Sequence, residues 1–245
     1  MGSIEPEEVV GIRLHVYLSK RGIGSRRSCE DMIRRGRVSV NGVIVREMGV
    51  TVDPERDVVM VDQHRISAEE ETVAIAFHKP AGVLSTCRTS REGAPAVTDF
   101  VDFPYRLYPA GRLDKNSTGL LILTNDGELA LRITHPRYQK EKEYRVRLKA
   151  LLSRRQLAKV RAGIELEDGL VRPKRVWALP DGSVGVIISE GRKRLIRRMF
   201  QTAGNPVRAL HRTRIGTVLL GNLEPGSWRK LSAQEILSFR LTTNP

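Results

Sequence analysis

Gly111-Arg112-Leu113-Asp114-Lys115-Asn116-Ser117-Thr118-Gly119-Leu120-Leu121-Ile122-Leu123 is the stretch on which the reading of this chain turns. One carboxylate, Asp114, stands between the cations Arg112 and Lys115, in a loop punctuated by Gly111 and Gly119. The apolar run 120–123 has the composition of a buried strand. A carboxylate set between cations at the entrance to such a strand suits a chemically active group. Taken alone, an aspartate in a glycine-bearing loop is as readily a turn or capping residue.

Outward from this stretch the pattern is strands and turns. Upstream, residues 73–77 are apolar and lead into His78-Lys79-Pro80-Ala81-Gly82-Val83, a strand that ends in a Pro/Gly turn. Residues 84–95 are polar, contain Gly93 and Pro95, and read as a loop or lid. Downstream, Asn125-Asp126-Gly127 is a turn and residues 128–134 a short helix. Residues 142–148 alternate, which puts Tyr144, Val146 and Leu148 on one face of a strand. Residues 153–162 read as a capped amphipathic helix, 194–203 as a second helix, and 218–220 and 228–231 as late strands. Few helices among antiparallel-looking strands predict an α+β fold.

The N-terminal part is a separate pattern. Residues 12–66 read as a small module, 67–72 as a polar, acidic linker, and 73–245 as a second domain. Leu14 and Leu18 lie one helical turn apart, and Gly22-Ile23-Gly24 ends that helix. Ser25 caps a helix over 26–35 with Cys29, Met32 and Ile33 inward, and Gly36 stops it. Asn41-Gly42 between valine-rich runs is a tight hairpin. Arg26, Arg27, Arg34, Arg35 and Arg37 crowd the second helix. Like charges at that spacing oppose helix formation, so a phosphate-facing role is the better account.

Composition points to the partner. Lys and Arg number 42 against 28 Asp and Glu, a formal charge of +14. Such an excess attracts polyanions and holds them by counterion release. No long basic amphipathic helix or lipidation signal favours a membrane instead. No apolar run approaches the ~20 residues that span a bilayer. The first ten residues are short and acidic and do not read as a secretory signal. Cys29 and Cys87 lack CxxC spacing, as expected of a reducing, cytoplasmic compartment. The five histidines show no paired ligand spacing, so no metal is expected. With the aspartate loop, the charge suggests an enzyme acting on RNA.

Here the residues meet a known family. GRLDKNSTGLLILTNDG (111–127) resembles the signature of pseudouridine synthases, in particular the RsuA family acting on ribosomal RNA. HKPAGV (78–83), EKEYRVRL (141–148), EGRKRLIRRMF (190–200) and LHRTRIG (210–216) are similar to that family's further motifs, in order. Residues 12–66 resemble the small αL RNA-binding domain. The resemblance implies that N-terminal domain plus a catalytic domain with a mixed, mostly antiparallel central sheet flanked by helices. It implies cleavage of the N1–C1′ bond of a uridine and rejoining through C5, with no redox cofactor or nucleotide. Asp114 would be the nucleophile or base at a buried site, kept charged by Arg197. Tyr144 would stack on the uracil and Ile196 line its pocket. Arg112 would support the loop or fill the vacated base stack. Lys79, Arg192, Lys193, Arg194, Arg198, Arg212 and Arg214 would mostly contact phosphates. Leu195 stands where the family often has glutamine, which removes a polar contact there. A buried carboxylate requires the target base to be extruded from its stack.

The residues 126–144 are closer to the large-subunit, RluB-like branch, so large-subunit ribosomal RNA or an assembly intermediate is the expected partner and a monomer the simpler state. Three alternatives stay open: a small-subunit synthase, a non-catalytic ribosomal-RNA-binding assembly factor, and a nuclease. Nucleases usually gather several carboxylates around metal ions, and the acidic residues here are spread out.

Overall fold

The computed structural model describes residues 11–66, 71–87 and 93–241. Most of the expected linker (67–70), the middle of the expected polar loop (88–92), the first ten residues and residues 242–245 lie outside the described residues. The chain divides into two compact units, residues 1–71 and 72–245.

In the first unit, β1 (Ile12–Arg13) pairs with β4 (Thr51–Val52), and α1 (Leu14–Lys20) precedes α2 (Arg26–Arg34). Ser25 Oγ accepts from Ser28 N at 3.1 Å and caps α2. The helix ends where Gly36, at φ +70°, donates to Ile33 O while Arg37 N reaches back to Met32 O. β2 (Val38–Val40) and β3 (Val43–Val45) form a hairpin whose turn residues Asn41 and Gly42 both have positive φ. With β5 (Val59–Val61) and β6 (His64–Arg65) they make a sheet in the order β3-β2-β5-β6. Leu14, Leu18, Cys29, Ile33, Val38 and Val59 form the core. Met32, expected inward, is only partly buried against it.

The second unit is built on β7 (Ala74–Lys79), β8 (Tyr108–Ala110), β9 (Thr118–Thr124), β10 (Lys142–Leu148), β13 (Arg175–Ala178), β14 (Val184–Ile188), β15 (Val207–Ile215), β16 (Val218–Leu219) and β17 (Trp228–Lys230). Their order is β13-β14-β10-β15-β9-β7-β17, with β8 on β9 and β16 on β15. Among the described residues of this sheet only the β9–β15 pair is parallel, so the sheet is mixed and mostly antiparallel. A short hairpin, β11 (Ile164–Leu166) with β12 (Gly169–Val171), stands apart from it.

Both faces of β9 are covered, which explains its continuous apolar run. Leu120 and Ile122 pack with α3 (Gly127–Thr134) and α6 (Ala233–Arg240) through Leu129, Ile133 and Phe239. Leu121 and Leu123 pack with Phe77, Val97 and Leu107 on the other side. At the far end, α4 (Arg154–Ala162) and α5 (Leu195–Thr202) close a core around Val146, Val186, Met199 and Phe200. The sequence reading omitted α6. Its signal was the spacing Ser232-x-x-Glu235, where each side chain bonds the other residue's backbone N–H.

Candidate active site

The aspartate loop, residues 111–117, joins β8 to β9 and is held from beneath. Ser117 N donates to Asp114 O at 3.0 Å, closing a tight turn. Ser85 Oγ exchanges hydrogen bonds with Leu113 N and O, at 3.0 and 2.9 Å. Gly82 N reaches Lys115 O at 2.9 Å. Lys79, 0 % exposed, donates from Nζ to Pro80 O, Lys115 O and Ser117 O at 2.9, 3.0 and 2.8 Å.

This corrects the expectation for Lys79. Its ammonium ties two loops together and is too deep to meet a phosphate. Burial draws its pKa down to about 8, against the pull of Asp114. Lys79→Met should cost about 3 kcal/mol, because Pro80 O and the buried Ser117 O would lose their ammonium donor, while Lys115 O keeps only Gly82 N. Thermal unfolding of the full chain measures this, and an unchanged transition would count against the role.

Asp114 Oδ2 lies 3.7 Å from Arg197 Nε, an ion pair in which the Arg197 side chain is 15 % exposed and that of Asp114 36 %. This corrects the expectation of a buried carboxylate: Asp114 is partly exposed and lines an open cavity. Arg197 projects from the first turn of α5 and also donates to Ser117 Oγ and Val207 O, at 3.3 and 3.4 Å. Burial lowers the Arg197 pKa from its usual value, and Asp114 opposes that shift.

The cavity has a volume of about 310 Å³. Arg112, Asp114, Tyr144, Arg192, Arg194 and Ile196 all line it. Tyr144 is 7 % exposed, pairs across the sheet with Arg212, and accepts from Arg212 Nη1 at 3.4 Å. Arg212 is 2 % exposed and donates from Nε to Leu120 O at 2.7 Å. A phosphate role for Arg212 is corrected on the same ground as for Lys79.

The remaining expected arginines are less free than their sequence suggested. Arg198 points away from the cavity, with Nη1 and Nη2 on the two oxygens of Asp168 at 2.9 and 2.7 Å. Arg192 lines the cavity but donates to Glu190, Asp168, Gly169 O and Leu170 O. Arg214 bonds Glu143 and Glu141. In the other unit, Arg34 pairs with Glu30, Arg35 with Asp31 and Arg37 with Asp62, while Arg26 and Arg27 are exposed. The helix charges are thus partly compensated within the unit. Exposed pairs of this kind are worth about 0–1 kcal/mol, little enough for a phosphate to displace. Lys142, also in the cavity wall, was missed. Strand parity could have found it, since it stands two residues before Tyr144 on β10.

Among the described residues no group of His, Cys, Asp and Glu is arranged to hold a metal ion. Nor is any helix among them long and apolar enough to cross a membrane.

A two-unit chain with a small helix-and-hairpin module and a mixed-sheet unit carrying an Asp–Arg pair in an open cavity defines a class, and comparison with known proteins agrees. The RNA pseudouridylate synthase family matches residues 73–202, and the S4 domain matches residues 12–59. An RNA pseudouridine synthase of Aquifex aeolicus is 40% identical over 230 residues, 92% of either chain. The ribosomal large subunit pseudouridine synthase B of Bacillus subtilis is 37% identical over 235 residues, 93% of this chain and 95% of its own. A crystal structure of a pseudouridylate synthase has a TM-score of 0.67 at 34% identity, over 93% of this chain and 99% of that one. The chain belongs to the pseudouridine synthase family, a class of isomerases, and carries an N-terminal S4 domain.

Proposed function

We propose that this enzyme converts one uridine of large-subunit ribosomal RNA to pseudouridine, with Asp114 acting at the ribose. One observation carries the reading: Asp114, ion-paired with Arg197, shares a cavity with Tyr144 and Ile196. A uracil entering that cavity meets an aromatic ring and an aliphatic wall, and its ribose meets a carboxylate paired with a guanidinium. Arg112 and Arg194 at the same cavity supply charge for the phosphates beside the extruded nucleotide. The exposed arginines of the S4 domain, Arg26 and Arg27, with Arg34 and Arg37, add sequence-independent grip. Likeness to the Bacillus subtilis large-subunit enzyme supports the choice of ribosomal subunit.

Mapping of pseudouridine in ribosomal RNA by carbodiimide modification and primer extension tests this. Cells with the protein, without it, and carrying Asp114→Asn are compared. One large-subunit site lost in both deficient strains is the expected result. A lone small-subunit site would overturn the subunit assignment, and no change at any site would overturn catalysis.

A further inference from the structure

Lys142 and Arg212 are cations in the cavity wall to which the roles above give no task. They adjoin Tyr144: Lys142 stands two residues before it on the same face of β10, and Arg212 opposite it on β15. Arg212 Cζ lies 5.9 Å from the Tyr144 ring centre. With Arg112, Arg192 and Arg194 they make five cations in the cavity wall against two carboxylates, Asp114 and Glu190, so the wall carries surplus positive charge. Among the described residues, Arg212 Nη2 is the buried side-chain polar atom without a hydrogen-bond partner. A buried donor left unpaired is costly unless a ligand atom meets it. Lys142 Nζ donates to Lys140 O at a long 3.3 Å. Burial, and next the neighbouring Arg212, lower its pKa to about 8.

The chemistry supplies an anion of matching position. Breaking N1–C1′ leaves the bond's electron pair on N1, so the detached uracil is a monoanion whose charge is shared with O2 and O4. C1′ is taken by an Asp114 oxygen, or C2′ gives its proton to that carboxylate. When C5 bonds to C1′, the carboxylate is released or the C2′ proton returned. The C5 proton then leaves and N1 gains one, so the product is an isomer of the substrate.

We propose that Lys142, with Arg212 beside it, holds the uracil while it is detached, its ammonium meeting the negative charge on the base oxygens. The proposal rests on the isomerisation assigned above to Asp114. It makes Lys142 a catalytic residue that contacts the base, and gives Arg212 both a hydrogen bond to the base and the placing of Tyr144.

The test uses the full chain in excess over transcripts of both ribosomal RNAs, made with uridine or with 5-fluorouridine. Fluorine stabilises the detached base as an anion, so cleavage then needs less help. Consumption of the target nucleoside is followed by chromatography after nuclease digestion. With 5-fluorouridine there is no C5 proton to lose, so the C5-linked product keeps its fluorine and takes up water at C6, and it is scored as that species. Lys142→Met should slow conversion about 100-fold with uridine but no more than about 10-fold with 5-fluorouridine, the scale expected for loss of one group that stabilises developing charge. Lys142→Arg, which keeps the charge, should stay within about 10-fold of the unaltered enzyme on both. An equal loss on the two substrates would make Lys142 a packing residue and overturn the proposal, as would no loss. The comparison is internal to each folded variant, so partial destabilisation cannot mimic it. If the unaltered enzyme converted neither transcript, the functional reading itself would fall, and this proposal with it.

Discussion

Asp114→Asn is expected to reduce single-turnover pseudouridine formation by at least about 10⁴-fold, the scale seen when a covalent or proton-abstracting group is removed. The amide keeps the shape of the carboxylate but is a poor nucleophile and a poor base. It also loses the charge that pairs with Arg197 across 3.7 Å. Two features make the experiment clean. The Asp114 side chain is 36 % exposed, so the amide buries no new polar group. The loop is held through the backbone of residues 113, 115 and 117 and not through the Asp114 side chain. Stability should therefore hold, and RNA affinity should change by less than about 3-fold, since removing one negative charge from a basic cleft does not weaken phosphate contacts. Rapid chemical quench gives the rate, and filter binding at fixed salt gives the affinity. A variant retaining a tenth of the rate would remove Asp114 from the chemistry.

Gly119→Ala is expected to destabilise the catalytic unit by about 4 kcal/mol, at the upper end of single-residue effects. Gly119 has φ +104°, where an L side chain is strained. A Cβ there would sit 2.2 Å from Arg212 O and 2.6 Å from Arg212 N. Those are backbone atoms of the parallel partner strand, so no rotamer change relieves the clash. The β9–β15 pairing registers Gly119 against Arg212 and thereby joins the aspartate loop to the strand behind Tyr144. For a unit of this size the cost corresponds to a fall in Tm of about 10 °C. Gly169→Ala is the control, because Gly169 has nearly the same φ, +101°, with nothing within 4 Å of the added Cβ. It should lose only the conformational part, about 1 kcal/mol. Equal losses in the two variants would show that the dihedral, and not the strand contact, sets the requirement for glycine.

Much of the fold was legible because its signals are local. Alternation over 142–148 reports a strand with one buried face, and β10 keeps Tyr144 and Val146 inward. Asn41-Gly42 requires positive φ at both residues, and both have it. The α6 helix was passed over although its capping box is equally local; its apolar face is weak, with only Phe239 fully buried, so periodicity did not reveal it. The family resemblance drew the Asp114, Tyr144 and Arg197 segments into one expectation. Spacing alone would not have done so, since they come from different elements separated by whole strands and helices.

What the amino-acid sequence by itself determined is the class of molecule: two units, an α+β pattern of antiparallel-looking strands, a basic chain, and an aspartate loop beside an apolar strand. Those follow from periodicity, turn chemistry and charge, which each segment carries independently. What only the tertiary structure decided is the use of each cation. Lys79 and Arg212 look like any other basic residue in sequence, yet the fold buries both and points them at backbone carbonyls. Arg198 looks like a phosphate contact until Asp168, from a distant hairpin, is seen to take its guanidinium. Strand parity puts Lys142 on the Tyr144 face, but its nearness to Arg212 in the cavity wall comes from the pairing of β10 with β15. The physical reason is that a charged side chain is long and takes its role from what faces it, and that is set by contacts between segments far apart in the chain.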